Sequence, residues 1–142
     1  MNPTTFKKID HSVLSRLHLV VGDAGIITDE SDKAPYLTDE RGYYTGATPM
    51  IVRPTSTAEV SQIVSICNES RTPVVPQGGN TGLCGGATPY EHGGEIVLSL
   101  NRMNKVREID TLNYAITVEA GVILADVQKA AEEADRYFPL SL

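Results

Sequence analysis

The run VVPQGGNTGLCGGA at residues 74–87 constrains this chain more than any other stretch. Val74 and Val75 are β-branched and favour a strand. Pro76 has no backbone N–H to donate, so the strand pattern is expected to stop there. Five of the next ten residues are glycine: Gly78, Gly79, Gly82, Gly85 and Gly86. Glycine admits positive φ and lets a ligand approach without a Cβ in the way. Successive backbone N–H groups in such a loop can form an anion-binding concavity. One reading is a phosphate or pyrophosphate cradle; the other is a long flexible turn. Asn80 and Thr81, polar side chains set among the glycines, favour the cradle.

Two phosphate loops with fixed sequence signatures do not match. A Walker loop ends in Gly-Lys-Ser/Thr, with the lysine on the phosphates and the hydroxyl on magnesium. Here Leu83 follows Gly82, and no lysine lies between Arg71 and Arg102. The dinucleotide fingerprint G-x-G-x-x-G must open a helix. Here Thr81 stands where the second glycine is required, and Ala87-Thr88-Pro89 then Glu91-His92-Gly93-Gly94 make a poor helix. The loop would therefore hold an anion by backbone amides, without a helix dipole behind them.

The 142 residues amount to one domain or less. Apolar residues make up 41% and charged residues 21%, enough for a core and for a soluble surface. A net charge of −6 argues against a nucleic-acid partner. No run of apolar residues is long enough for a spanning helix. Lys7 and Lys8 are not followed by the apolar stretch of a secretory signal, and a cytoplasmic location is expected. Cys67 and Cys84 are in no metal-ligand spacing. Cys67 reads as a small buried hydrophobe, and Cys84 as a bystander in the loop.

Residues 10–21 read as a helix capped by Asp10, with Val13, Leu14, Leu17 and Val21 at helical spacing and Gly22 as the stop. His11 and His18 read as solvated. Residues 31–37 suggest a short helical turn interrupted by Pro35. Residues 39–44, Asp-Glu-Arg-Gly-Tyr-Tyr, read as a surface loop rather than as a cofactor contact from Arg41 or a tyrosine. A strand is expected at 50–53. Ser56-x-x-Glu59 has the reciprocal capping-box pattern, opening a helix to about residue 69 with Val60, Ile63, Val64 and Cys67 on one face. With the strand at 74–76 this makes a βαβ unit with parallel strands. The glycine loop then hangs from the C-terminal end of a strand, where α/β sheets bind ligands. Further strands are expected at 96–100, 105–110 and 114–118, the last two as an antiparallel hairpin. A helix over 122–135 would place Leu124, Val127, Ala131 and Ala134 on one face.

The segment PQGGNTGLCGGA resembles the pyrophosphate loop of the FAD-linked oxidases with a vanillyl-alcohol-oxidase-type (PCMH-type) flavin domain. The flanking text agrees: residues 49–69 before the loop, then IVLSLNRMNKVREID at 96–110 and TVEAGV at 117–122. The branch resembled is the FAD-dependent D-2-hydroxy-acid dehydrogenases, which includes D-lactate dehydrogenase, the glycolate oxidase flavoprotein subunit and D-2-hydroxyglutarate dehydrogenase. The likeness covers roughly residues 35–142. It implies an α+β fold: a mixed sheet with a parallel βαβ unit and flanking helices. Residues 1–45 would be a helical lead-in, and 46–142 the first half of an FAD-binding domain.

In that family a second glycine-rich segment completes the flavin site. A substrate domain with catalytic histidines and metal- or carboxylate-binding residues comes later still. The resemblance thus implies that residues 1–142 are the N-terminal part of a larger flavoenzyme, inactive alone, with no catalytic residue and no metal ligand. That enzyme would pass a hydride from the α-carbon of a 2-hydroxy acid to FAD and need an electron acceptor; a homodimer is compatible with it. By resemblance the pyrophosphate-holding role falls on Gln77, Gly78, Gly79, Asn80, Thr81, Gly82 and Leu83, mostly through backbone amides. Gly85 and Gly86 are lesser candidates. Some relatives attach FAD through a histidine inside the loop. The matching positions here are Asn80 and Thr81, and the nearest histidine is His92, so the FAD is expected to be non-covalent. Two readings from other classes stay open: a non-catalytic nucleotide- or anion-binding module, and a structural fragment that binds nothing.

Overall fold

The computed structural model describes residues 8–141. Residues 1–7 of the expected lead-in, Lys7 among them, lie outside the described residues. Helix α1 (His11–Val21) starts where Asp10 accepts a hydrogen bond from the Ser12 amide, and ends at Gly22, φ 66°. Strand β1 (Ile26–Ile27) and helix α2 (Glu30–Leu37) follow. Then come β2 (Ile51–Val52), α3 (Thr57–Ser70), β3 (Val74–Gln77), β4 (Ile96–Ser99), β5 (Val106–Asp110), β6 (Ala115–Val118) and α4 (Leu124–Glu133).

The four-stranded sheet has the order β1-β2-β4-β3. Strand β1 is antiparallel to β2, while β2 and β3 both run parallel to β4. The expected βαβ unit is therefore present, but its two strands are not neighbours, because β4 lies between them. All four residues of β4 are buried, as befits a central strand covered on both faces. Its alternate residues feed two cores. Ile96 and Leu98 join Val13, Leu17, Val52, Ile63, Ile66 and Cys67, under α1 and α3. Val97 joins Ile51 and Val75 on the other face, packed against Ile27, Tyr36 and Leu37. The sheet is thus sandwiched between α1 and α3 on one side and α2 on the other.

Three local expectations are corrected. Strand β3 does not stop at Pro76 but runs through it to Gln77. It is an edge strand, and an edge strand can leave one side of its backbone unpaired, so proline costs no ladder bond there. Helix α2 is not interrupted by Pro35, which sits inside its eight residues. On α3, Ile66 takes the buried place expected of Val64, which is 49% exposed. The capping box is half formed: Ser56 Oγ accepts from the Glu59 amide at 3.2 Å. The Glu59 carboxylate reaches past Ser56 to the Thr55 amide at 2.8 Å and the Thr55 hydroxyl at 2.9 Å.

Beyond β4 the hairpin β5–β6 forms as expected, with a bulge between Val106 and Glu108. Asp110 accepts from the Leu112 and Asn113 amides, both at 3.0 Å, which closes the turn. Helix α4 buries Val127 and Ala131, the centre of its expected face. Gly121 anchors this unit to the sheet: its amide donates to Met103 O at 2.8 Å. A Cβ on Gly121 would lie 1.8 Å from Leu100 O, so only glycine fits.

Two expected outcomes follow from this packing. Ser56→Ala should lower unfolding free energy by about 1 kcal/mol, since it removes the one side-chain cap of α3; urea titration measures this, and an unchanged midpoint would show the cap idle. On the hairpin, two carboxyls sit below their ordinary range: Asp110 through the Asn113 amide and side chain, and Glu119 chiefly through the Lys105 amide. Both are lowered by folding, so their contribution is present above the ordinary carboxylate range and lost as pH falls through the folded values. Hydrogen-exchange protection of β5 and β6, corrected for intrinsic rate, should decline from about pH 6 to about pH 3, and less so in Glu119→Gln.

Candidate functional site

The parallel strands β3 and β4 pair in register, Gln77 beside Ser99, and the Leu100 amide donates to Gln77 O at 2.9 Å. The glycine loop leaves the sheet at this C-terminal edge. Its shape is set by two side chains. Gln77 is 2% exposed, and its Nε2 donates to Tyr36 O and to Ala87 O, each at 2.9 Å. One bond joins the loop's origin to its end; the other ties it to the last turn of α2. Asn80 sits in the left-handed region, φ 55°, and its Nδ2 donates to Thr38 O at 2.8 Å and more weakly to Pro35 O at 3.4 Å.

These contacts answer a need of α2. The last carbonyls of a helix have no partner within the helix. Here Pro35, Tyr36 and Thr38 are served by Asn80 and Gln77, while Leu37 O accepts from the Gly46 amide at 2.8 Å. The side chains of Gln77 and Asn80 are thus committed to the protein. What they leave outward is backbone. Among the described residues, no amide of residues 78–84 donates to a protein acceptor. A Cβ on Gly78, Gly82 or Gly86 would meet nothing within 4 Å, and one on Gly79 only the Thr81 methyl at 3.8 Å. None of these four has positive φ, so conformational freedom is not their reason for being glycine. They leave open space beside free amides, which fits an anionic group held against the backbone. Thr81 and Leu83 are exposed in the same arc, Leu83 at 48%.

Gly85 is different in kind. It has φ 70°, and a Cβ there would strike the Tyr44 ring at 2.7 Å. Tyr44 comes from the segment read as a surface loop, and the structure brings it against the glycine loop. The Asp39 carboxylate, 4% exposed, accepts from the Tyr44 amide at 2.7 Å, and the Asp39 amide donates to Tyr44 O at 3.0 Å. No spacing rule in the sequence connects residue 44 with residue 85. Arg41 stays exposed, with its amide on Asp39. Cys84 is exposed and free; Cys67 is buried, and burial pushes its thiol upward. His18 Nε2 lies 2.6 Å from Asp23 Oδ1, away from the loop.

A family model described as an FAD binding domain matches residues 48–142. This chain belongs to that family. FAD is accordingly the cofactor of this FAD-binding domain, and the open glycines with unpaired amides are compatible with its pyrophosphate. The domain is 38% identical over 141 residues to a probable mitochondrial D-2-hydroxyglutarate dehydrogenase of Oryza sativa subsp. indica, covering 99% of this chain and 25% of the relative. It is 35% identical over 131 residues to glycolate oxidase subunit GlcD of Bacillus subtilis, covering 92% of this chain and 27% of the relative. Among solved structures, p-cresol methylhydroxylase with substrate bound superposes with a TM-score of 0.74 at 26% identity, covering 87% of this chain and 24% of the other. The chain thus spans about a quarter of the length of these proteins. Among the described residues no helix is long and apolar enough to cross a membrane.

The double bond from Gln77 generates its own test. Gln77→Leu should leave the Tyr36 and Ala87 carbonyls without this donor in a part-buried spot, at a cost of about 1–3 kcal/mol. The thermal midpoint should fall and exchange at residues 85–88 should quicken. An unchanged midpoint would show that the clamp does not hold the loop.

Proposed function

We propose that this domain holds the FAD pyrophosphate in a flavin-dependent oxidoreductase that converts a 2-hydroxy acid of the D-lactate, glycolate or D-2-hydroxyglutarate class to the 2-oxo acid. The observation that carries the cradle is the run of amides over residues 78–83 with no protein acceptor, beside glycines whose missing Cβ leaves open space. The substrate class follows from the names of relatives such as the rice and Bacillus proteins. When bound, FAD supplies the two-electron acceptor for the hydride on the substrate's α-carbon. The chain's own part is to bind and orient. The backbone at Gly78, Gly79, Asn80, Thr81, Gly82 and Leu83 receives the phosphates, and the Gln77 and Asn80 side chains fix the arc in which those amides lie. No catalytic residue and no metal ligand is assigned to this chain.

The same reading divides the chain into a lead-in over residues 1–45 and the first half of the flavin domain over 46–142. It gives the whole enzyme an electron acceptor and a cytoplasmic location, and a homodimer is compatible with it. The rice relative is mitochondrial by name; cell fractionation decides between the two compartments. The flavin is held without a covalent bond, since Asn80 and Thr81 occupy the loop positions where a histidine would attach it.

Gly79→Val in the full-length enzyme is the decisive variant. The space beside Gly79 is open apart from the Thr81 methyl, so the fold should tolerate the side chain. The isopropyl group would occupy the space of the pyrophosphate. Flavin content per protein should drop severalfold, with the thermal midpoint of the apoprotein shifted little. Full flavin occupancy in a folded variant would remove Gly79 and the cradle from the site. In the unsubstituted enzyme, acid precipitation should release all flavin to the supernatant; colour retained on the pellet would overturn non-covalent binding.

A further inference from the structure

The glycine loop has a second pair, Gly85 and Gly86, which the pyrophosphate reading makes only lesser candidates. Gly85 lies against the ring of Tyr44. Tyr44 is 52% exposed, so about half of its surface remains open. It is nonetheless held firmly. The turn carrying it is closed by the pair of backbone bonds to Asp39, by the Gly42 amide on Asp39 O at 3.0 Å, and by the Thr38–Thr45 bridge. Just after the turn, the Gly46 and Ala47 amides donate to Leu37 O and Tyr90 O at 2.8 and 3.1 Å. An open groove of about 900 Å³ runs from Tyr44 past Gly85 and Gly86 to the stacked rings of Tyr90 and His92, whose centroids are 5.6 Å apart.

We propose that Tyr44, seated on Gly85, is a stacking platform for a flat heteroaromatic ring of the dinucleotide whose phosphates lie on residues 78–83. This rests on the FAD reading above. Three observations converge on it. A large ring half open to solvent on a rigid turn loses little entropy when a second ring covers it, which is the property of a preorganised anchor. Gly85 is required at its position by the Tyr44 ring itself, so the loop and the aromatic turn are fitted to each other. The groove that Tyr44 borders is lined by Cys84, Gly85 and Gly86, the stretch of the glycine loop that directly follows residues 78–83. A dinucleotide offers two such rings, the isoalloxazine and the adenine, and one experiment separates them.

Tyr44→Phe, Tyr44→Leu and Tyr44→Ala are made in the full-length enzyme. Thermal midpoints, dissociation constants for FAD, FMN and ADP, and the emission of bound flavin are measured. Tyr44→Leu keeps an apolar cover on Gly85 and guards against a folding defect in Tyr44→Ala. FAD affinity is expected to fall about tenfold in the Leu and Ala variants, the size of a lost aromatic stack, and to hold in Tyr44→Phe. If the isoalloxazine is the ring, FMN affinity falls with that of FAD, and Tyr44→Phe raises flavin emission because the phenol no longer quenches it. If it is the adenine, ADP affinity falls and emission stays. Unchanged affinity for all three ligands in a folded Tyr44→Leu variant overturns the platform while leaving the FAD reading intact. An unsubstituted enzyme that binds no FAD overturns the reading beneath it.

Discussion

The carbonyl end of α2 is the interaction on which the site depends. A helix that stops beside a sheet edge presents acceptors that must be met. In this fold they are met by Gln77 and Asn80, from the strand end and the loop that follow some forty residues later. The exchange works in both directions. The helix gains partners for Pro35, Tyr36 and Thr38, and a glycine-rich segment, costly in entropy to order, gains two fixed points. Rotating the Gln77 amide would set oxygen against oxygen at both of its contacts, so its orientation is determined as well. A loop held from below by side chains is free to turn its main chain outward.

The glycines divide accordingly. At Gly46 and Gly121 a Cβ would fall within 2 Å of a carbonyl oxygen, Pro89 O and Leu100 O respectively. These are packing requirements: Gly46 lets its segment pack on Pro89, and Gly121 lets the hairpin unit pack on Leu100, just past β4. At Gly78, Gly79, Gly82 and Gly86 a Cβ would meet nothing closer than 3.8 Å. There the missing Cβ leaves open space. Asn80 takes the left-handed conformation that these glycines do not, since its short amide can bond locally while the backbone turns.

Burial on both faces of β4 explains why the sheet tolerates its short strands. Two-residue strands such as β1 and β2 add few ladder bonds. Ile51, Val52, Ile96 and Val97 are fully buried between two helical layers, and their apolar surface supplies what the ladders do not. The edge strand β3 still sends Val75 into the core, and its exposed Pro76 borders the groove.

Much was legible in the sequence because it is local. Asp10 before an apolar-periodic run, Ser56 three residues ahead of Glu59, and the hairpin of the strands at 105–110 and 114–118 each act within a few residues of themselves. The motif run around 74–87 was legible for another reason: it resembles a known flavin family, and the match to an FAD-binding domain bears that out. What stayed hidden was set by contacts between distant residues. Pro76 is compatible with a strand only because β3 ends up at the sheet's edge. Ile66 rather than Val64 is buried because the face of α3 that meets α1 and the sheet carries Ile63, Ile66 and Cys67. The place of β4 between β2 and β3, the grip of Gln77 and Asn80 on α2, and Tyr44 against Gly85 each join segments dozens of residues apart. The sequence by itself determined the elements and the chemistry of the loop, because propensity, capping and glycine content act along the chain. The tertiary structure alone decided which distant carbonyls Gln77 and Asn80 serve and which ring lies against Gly85, because those contacts join segments far apart in the chain.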